Sequence, residues 1–239
     1  MNKPILSIIT VTKDCASTLE KTIHSVRSVK SSDIEYIIID GVSTDGTLEL
    51  ISKYEMVVDT LVSEPDTGIY NAMNKGVKKA TGDYVLFMNG DDEILSDGFE
   101  DVMNALRSEK PPILCATTLV DDKDNPSEIL VAEPWKLIFF NSIPHPSSFV
   151  KRSLMMEHPF REDLRIASDY DFFLSAYLAK TQFQTVSKPT ALHGRGGMSG
   201  DEEKSLAEIE KIRKERLGWR LPFIKMVHKS YRILKSIRT

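Results

Sequence analysis

The 239-residue chain has a length that suits one compact domain with a modest appendage. Its hydrophobic and charged fractions, 41% and 28%, are ordinary for a globular protein, and its net charge of −4 gives no signature of nucleic-acid binding. The two cysteines, Cys15 and Cys115, match no paired metal spacing. The sequence contains no secretory-signal pattern and no apolar run of membrane-spanning length. We therefore expect a cytoplasmic protein, or one lying peripherally on the cytoplasmic face of the inner membrane.

Strand and helix patterns alternate through the first 90 residues. Buried strands are predicted at Ile5–Thr12, Glu35–Asp40, Asp59–Ser63 and Tyr84–Met88. Helices are predicted after a Ser17–Glu20 capping box and at Thr47–Tyr54 and Ile69–Ala80. This alternation is typical of an α/β fold with a mostly parallel central sheet and helices on both faces.

The second half of the chain is less regular. We predict a strand at Pro111–Val120, an amphipathic helix at Asp169–Lys180 and a last strand at Gln182–Val186. Gly194–Gly200 reads as a flexible loop and Glu202–Leu217 as a charged helix.

Polar residues follow all four of the first strands: Thr12 to Asp14, Asp40, Glu64 to Asp66, and Asp91 with Asp92. In parallel sheets, ligands bind outside the carboxyl ends of the strands. Adjacent carboxylates in a turn repel each other unless a divalent cation lies between them and a substrate phosphate. Asp91 and Asp92 therefore indicate a magnesium or manganese site, and a solvated acidic turn before a helix at Ser96 is the alternative.

Three ordered segments closely resemble the family 2 glycosyltransferases, especially bacterial capsule, exopolysaccharide and lipopolysaccharide enzymes. They are ILSIITVTKD, IIIDGVSTDGT and SEPDTGIYNAMNKGVKKATGDYVLFMNGDD, and looser similarity continues through HPSSFVKRSL, IASDYDFFLSAYLAK and GGMS to about residue 200. The resemblance implies a GT-A (Rossmann-like) fold and inverting transfer of a sugar, such as a hexose, from a nucleotide-diphosphate sugar. It implies Mn2+ or Mg2+ as cofactor and a glycan or polyprenol-linked acceptor in polysaccharide biosynthesis. It suggests a nucleotide-sugar-binding half at residues 1–100, an acceptor half at 101–200 and a helical basic tail at 201–239.

The resemblance also implies roles for individual residues. Contacts to the nucleotide sugar fall on Thr10, Thr12, Asp40, Asp66, Asn74 and Arg195. Metal binding falls on Asp91, Asp92 and His193, and Arg195 suits a phosphate. The sequence departs from the family pattern at Asn89, where the first acid of the DxD motif is expected, and at Lys13 and Gly41.

The resemblance places the general base at Asp169. Inverting transfer needs one carboxylate that accepts the proton of the attacking hydroxyl. Asp169 and Asp171 lie two residues apart at a helix start, so only one of them can face the reaction centre. A helix-capping role for Asp169 is the alternative.

The C-terminal segment from Lys211 to Thr239 contains ten Lys or Arg residues and one acid, so it carries +9 and the rest of the chain −13. Aromatic and aliphatic residues, including Trp219, Phe223 and Tyr231, are interleaved with these charges. This composition fits an interfacial helix on an anionic membrane. A helix packed on the domain with a solvated basic face is the alternative.

Two other functions remain open at this level. A sugar-nucleotide pyrophosphorylase would need a glycine-rich, basic loop after the first strand, and residues 12–16 (TKDCA) contain no glycine. A non-catalytic glycan-binding protein on the same fold is the second alternative.

Overall fold

A computed structural model of the chain describes residues 3–121, 128–194 and 202–227. The strands are β1 (Leu6–Thr12), β2 (Ile34–Asp40), β3 (Thr60–Ser63), β4 (Tyr84–Asn89), β5 (Glu93–Ile94), β6 (Ile113–Asp121), β7 (Ile129–Leu130), β8 (Ser148–Lys151) and β9 (Phe183–Gly194). The helices are α1 (Leu19–Val29), α2 (Thr47–Ser52), α3 (Ile69–Lys79), α4 (Ser96–Ser108), α5 (Arg152–Glu157), α6 (Ser168–Leu178) and α7 (Glu202–Leu217). Short 3-10 turns lie at Pro134–Ile138, His145–Ser147 and Gly218–Arg220, and residues 221–227 are again helical.

The strands form one sheet in the order β3-β2-β1-β4-β8-β6-β9-β5, with β7 paired to β6. β1, β2, β3 and β4 are parallel neighbours, as are β6 and β9, whereas β8 runs antiparallel to β4 and β6. The register pairs Thr12 with Asp40, and Asp40 with Ser63. The predicted collection of polar residues at one edge of the sheet is therefore confirmed.

Helices cover both faces of the sheet, because alternate residues of each central strand point to opposite sides. On one face, Ile9 and Val11 of β1 belong to a core shared with α3, α5, α6 and α7. On the other face, Leu6 and Ile8 belong to a core shared with α1, α2 and α4. The predicted α/β class with a mostly parallel sheet and a C-terminal helix is confirmed.

The start of α1 differs from the sequence-based prediction. The helix begins one residue after Thr18, and no side chain caps its first turn, so the predicted Ser17–Glu20 capping box is wrong. Glu20 instead accepts a hydrogen bond from the hydroxyl of Tyr54, 2.7 Å away. A tertiary partner has replaced the local one.

Helix α7 packs on the domain. Ile212 and Leu217 are buried in the same core as β1 and α6, and Leu221 is buried beyond the helix end. No helix within the described ranges combines the length and apolar character needed to cross a membrane.

Candidate functional site

One large cavity of about 1190 Å³ lies at the carboxyl ends of β1 and β4. Its lining includes the polar and charged side chains Lys13, Asp14, Lys21, Asn89, Asp91, Asn141, His145, Arg165, Asp169 and His193. Sheet order explains this convergence, because β1 and β4 are parallel neighbours and β5 pairs with β9. One cavity is therefore lined by three of the predicted site residues, Asp91, Asp169 and His193. Asp91 and His193 are 102 positions apart in the sequence.

Asp91 and Asp92 are adjacent in sequence but have different environments. Asp91 lines the cavity, and burial, followed by the negative charge of Asp92, raises its pKa above the ordinary value, with His193 opposing the shift. Asp92 is fully buried. Its Oδ2 accepts the backbone N–H of Asn89 at 2.9 Å, and its Oδ1 lies 2.6 Å from Nδ1 of His193. Because Asp92 does not reach the cavity, we assign it to orienting His193, in place of the predicted direct metal contact.

The pair of β5 and β9 positions His193 beside these acids. Leu192 is the register partner of Glu93, so the next residue of β9 lies against the turn that carries Asp91. A histidine that donates one ring N–H to a carboxylate presents its other nitrogen as a metal ligand. Asn89 adds an amide oxygen, Oδ1, which is buried without a hydrogen-bond partner.

These donors suit a hard divalent cation only in part. Among the residues the structure describes, no three His, Cys, Asp or Glu side chains are grouped to hold a metal ion. Asp91 and His193 offer one carboxylate and one imidazole, and a site of this kind is completed by water and substrate phosphates. The side chains therefore fit a cation that arrives with, or is completed by, a diphosphate.

Asp169 lies in the first turn of α6, lines the same cavity and is 8% exposed. The hydroxyl of Tyr70 is 3.0 Å from its Oδ1 and 2.6 Å from the carbonyl oxygen of Ile166, so its single proton has two acceptors. Nδ1 of His145 lies 3.8 Å from Oδ2. Burial lowers the pKa of His145 below its ordinary value, although the neighbouring carboxylate of Asp169 opposes this shift.

Asp171 has a structural environment. Its two carboxylate oxygens accept hydrogen bonds from Nε and Nη2 of Arg216 on α7, at 2.8 and 2.7 Å, and it is 4% exposed. Asp171 does not line the cavity. The two acids therefore point in different directions, and the one that faces the cavity is Asp169.

The nucleotide contacts predicted on the first two strands lie behind the cavity wall. Thr12 donates to Asp40 at 3.2 Å, and Asp40 also accepts hydrogen bonds from Ser43 and Ser63. Burial raises the pKa of Asp40, but these hydrogen bonds outweigh it and hold the pKa below its ordinary value. Thr12 and Asp40 therefore bind each other at the carboxyl ends of β1 and β2, and neither side chain lines the cavity.

Asp66 occupies the space left by Gly41. A Cβ at Gly41 would collide with the Oδ2 atom of Asp66, and Lys13 donates to the carbonyl oxygen of Gly41 at 2.9 Å. The carboxylate of Asp66 therefore fills the position where the family pattern has a second acid.

Two further predicted nucleotide contacts, Thr10 and Asn74, do not line the cavity either, and nor does Asp66. Thr10 is fully buried in β1 and accepts a hydrogen bond from the hydroxyl of Tyr36 at 3.2 Å. Asn74 is 5% exposed on α3, where its amide bonds both the N–H and the carbonyl of Phe160. We correct both assignments, because these side chains stabilise the fold. The predicted phosphate contact Arg195 lies outside the described residues.

Sequence reasoning missed Arg165 and Glu208. Arg165 lines the cavity and donates to the carbonyl oxygen of Thr67 at 2.6 Å. Glu208 of α7 accepts three consecutive backbone N–H groups, those of residues 165–167, at 2.7, 2.9 and 2.9 Å. Arg165 directly precedes the IASDYD stretch, and this position was the available signal for it, but no local pattern connects Glu208 to that segment.

Comparison with known proteins agrees with this geometry. The family described as "Glycosyl transferase family 2" matches residues 7–158. A PGL/p-HBAD biosynthesis glycosyltransferase of Mycobacterium bovis is 29% identical over 182 residues, which cover 74% of this chain and 71% of the relative.

Two solved structures share the fold. Residues 1–349 of Staphylococcus aureus TarS, in complex with UDP, align with a TM-score of 0.69 at 19% identity, covering 91% of this chain and 72% of that TarS fragment. The mannosyltransferase PcManGT of Pyrobaculum calidifontis, in complex with GDP-Man and Mn2+, aligns with a TM-score of 0.65 at 17% identity, covering 95% and 74%. The family match covers more than half of this chain, and the chain has the GT-A fold. The chain therefore belongs to glycosyltransferase family 2.

Proposed function

We propose that the protein transfers a sugar, such as a hexose, from a nucleotide-diphosphate sugar to a hydroxyl of a glycan or lipid-linked acceptor, with inversion at the anomeric carbon. The observation that supports this is a single cavity whose lining includes Asp91 and His193 together with Asp169. Solved neighbours hold UDP in one case and GDP-Man with Mn2+ in another, which supports the donor class.

Asp169 is the general base in this proposal. Its carboxylate accepts the proton of the acceptor hydroxyl as that oxygen attacks the anomeric carbon from the face opposite the diphosphate. Contacts from Tyr70 and from Asn141, whose amide nitrogen is 3.5 Å from Oδ2, limit the rotation of this carboxylate. One displacement at the anomeric carbon inverts its configuration.

The diphosphate lies on the opposite side of the cavity in this proposal. Asp91 and His193 would hold Mn2+ or Mg2+, which when bound supplies positive charge at the departing diphosphate. Lys13, Lys21 and Arg165 line the same cavity and can neutralise part of that charge.

Product analysis tests the proposal. The purified chain is incubated with Mn2+, a panel of UDP- and GDP-sugars and candidate acceptors, and release of nucleoside diphosphate is measured. We expect nucleoside diphosphate from wild type and very little from Asp169→Asn, with nucleotide binding retained in the variant. Pyrophosphate release would indicate the pyrophosphorylase alternative, and nucleotide-independent glycan binding without turnover would indicate a glycan-binding protein.

The C-terminal segment divides into a packed part and an exposed part. Ile212, Leu217 and Leu221 are buried, whereas Trp219 is 85% and Phe223 63% exposed. We propose that this exposed side, together with the basic residues of 211–239, docks on the cytoplasmic face of an anionic membrane.

The packed part decides how docking is tested. A truncation after Glu210 would remove Arg216 and three core side chains, so it would destabilise the domain whether or not the tail binds lipid. The double variant Trp219→Ser/Phe223→Ser leaves the core intact. We expect it to lose sedimentation with anionic liposomes, and we expect wild-type binding to weaken as salt rises. If the wild-type protein does not sediment with anionic liposomes at low salt, the docking proposal is refuted.

A further inference from the structure

His145 is a largely buried histidine that lines the cavity. Its side chain is 16% exposed, and its Nε2 atom has no hydrogen-bond partner within the described part of the chain. An unpaired buried polar atom costs free energy, so its presence in a native protein calls for an explanation. A histidine that carries this cost needs a compensating use for the rest of its ring.

The imidazole ring of His145 is held in one position. It packs against Phe87 of β4 and against Phe160, with ring centroids 5.4 and 5.8 Å away and interplanar angles of 77° and 61°. The residue begins a 3-10 turn and is flanked by two prolines. At the end of this turn, the hydroxyl of Ser147 donates to the carbonyl oxygen of Ala116 at 2.9 Å. The ring nitrogens therefore lie at fixed points of the cavity wall.

The surroundings of the two ring nitrogens select a tautomer. Burial lowers the pKa of His145 below its ordinary value of 6.5, so at pH 7 the ring is neutral and carries one N–H. In native proteins, unpaired buried N–H groups are rarer than under-satisfied acceptors. The unpaired Nε2 is therefore the acceptor nitrogen, and the proton lies on Nδ1. Nδ1–H is a hydrogen-bond donor, and its nitrogen lies 3.8 Å from Oδ2 of Asp169.

The two carboxylate oxygens of Asp169 have different contacts. Oδ1 lies 3.0 Å from the hydroxyl of Tyr70, which donates to it. Oδ2 has the amide nitrogen of Asn141 at 3.5 Å, the outer limit of a hydrogen bond, and Nδ1 of His145 beyond that limit. Oδ2 is therefore the oxygen that is left to accept the proton of an attacking hydroxyl, and Nδ1 of His145 is its neighbour.

The gap between Nδ1 of His145 and Oδ2 of Asp169 fits one hydroxyl oxygen. Two hydrogen bonds of about 2.8 Å each can meet at an oxygen between atoms that are 3.8 Å apart. We propose that the reactive hydroxyl of the acceptor binds in this gap, donating its proton to Asp169 and accepting the N–H of His145. The inference rests on the proposed function, because it takes Asp169 as the base.

This contact would orient the nucleophile. A hydroxyl oxygen has one proton and two lone pairs, so with the proton on Asp169 and one lone pair on His145, only the other lone pair can attack. That lone pair forms the bond to the anomeric carbon, the bond to the diphosphate breaks with its electron pair leaving on the diphosphate, and the proton passes to Asp169. His145 keeps its own proton and stays neutral, and its N–H stabilises the negative charge that develops on the attacking oxygen.

Three substitutions at position 145 test the contact. His145→Phe keeps an aromatic ring and removes both nitrogens. His145→Asn places an amide N–H near the former Nδ1, and His145→Gln places one near the former Nε2. Turnover is measured as nucleoside diphosphate release with the donor and acceptor that are active in the product analysis, and also with water as the nucleophile.

We expect kcat to fall about tenfold or more in His145→Phe and His145→Gln, because the attacking oxygen loses its orientation, and to be partly restored in His145→Asn. The dissociation constant of nucleoside diphosphate with Mn2+ should stay at its wild-type value in all three. His158→Phe is the matched control, because the side chain of His158 is 63% exposed and does not line the cavity, and it should have wild-type turnover.

Thermal unfolding separates this role from packing. A histidine that only packs would cost stability and turnover together when it is replaced. We expect His145→Phe to be at least as thermostable as wild type, because an unpaired buried polar atom is exchanged for an apolar ring. If His145→Phe does not fold, the pair His145→Asn and His145→Gln decides, and equal turnover in these two would overturn the inference.

Nitrogen-15 NMR of the histidine side chains gives a readout that needs no substrate. The chain has five histidines, so the signal missing from His145→Phe identifies His145. We expect the Nδ1–H tautomer at pH 7. An Nε2–H tautomer, or turnover in His145→Phe equal to that of the His158→Phe control, would overturn the inference while the proposed function stands. If Asp169→Asn turns over like wild type, the proposed base itself fails, and the role of His145 fails with it.

Discussion

The pair Asp169 and Asp171 allows catalysis and stability to be separated by one matched experiment. Both acids lie in the first turn of α6, both are nearly buried, and the substitution Asp→Asn changes each by one atom type. Only Asp169 lines the cavity. We expect Asp169→Asn to lower turnover by a factor on the order of 10² to 10⁴, the usual contribution of one general base, with donor binding unchanged.

The expected cost at Asp171 is in stability. Breaking a buried ion pair costs about 3–5 kcal/mol, but the side chain of Arg216 is 39% exposed and can be rehydrated when its partner changes. Asn also keeps one acceptor oxygen. We therefore expect a loss nearer the ~1.5–3 kcal/mol of a charged hydrogen bond, which corresponds to a melting temperature lower by about 3–12 °C at this chain size.

The assay measures kcat by nucleoside diphosphate release at a temperature where both variants are folded, together with thermal unfolding. Asp171→Asn should retain most of its turnover per folded molecule and lose stability. Asp169→Asn should show the reverse. If the folded Asp171→Asn protein loses more turnover than Asp169→Asn, the assignment of the base is wrong.

Four further outcomes follow from the site. Asp91→Ala should abolish the rise in melting temperature that nucleoside diphosphate and Mn2+ together produce in wild type, while leaving the melting temperature of the ligand-free protein close to wild type. Gly194→Ala should weaken nucleotide binding measured by calorimetry by about tenfold or more, because the new Cβ would lie 2.6 Å from the carbonyl oxygen of Asp91 and displace that residue. Glu208→Ala should lower kcat more than donor affinity, because three N–H groups before α6 lose their acceptor and Asp169 loses its fixed position; unchanged kcat would contradict this. The pKa of Asp40 lies below its ordinary value of 3.8, so Asp40 contributes stability that is present above that value and lost as pH falls through the folded-state pKa; urea unfolding should show a smaller acid-induced loss in Ser63→Ala than in wild type.

The sequence was sufficient to predict the first four strands and their shared edge, because these elements are encoded locally. β1 and β2 are rich in β-branched residues, β4 is almost entirely apolar, and the short helices between the strands require parallel crossovers. Once parallel, the strands must deliver Asp40 and Asp91 to the same edge. Cavity-lining positions for Asp91 and Asp169 follow from that topology together with the family resemblance.

Long-range pairing could not be predicted in the same way. β8 inserts between β4 and β6, and β5 pairs with β9 about a hundred residues later, with no turn signal that joins them. The pairing of β5 with β9 places His193 next to Asp92, so the environment of Asp92 differs from that of Asp91. These two identical neighbours take different environments, because Asp92 accepts the N–H of Asn89 within the turn and lies beside His193, which comes from β9.

The position of the C-terminal segment likewise could not be predicted from its charge and composition alone. Its composition allowed a membrane-bound helix or a packed helix as alternatives, and the structure shows that α7 packs on the domain. Glu208 and Arg216 are polar, yet they bind the backbone before α6 and the carboxylate of Asp171, so α7 holds the helix that carries Asp169. Trp219 and Phe223 lie just beyond and remain exposed. Because α7 contacts both the base-bearing helix and the exposed segment, a membrane that binds the exposed side would act on a segment directly joined to the catalytic unit. A lipid-linked acceptor would then meet an enzyme whose docking segment and proposed base are held by one helix.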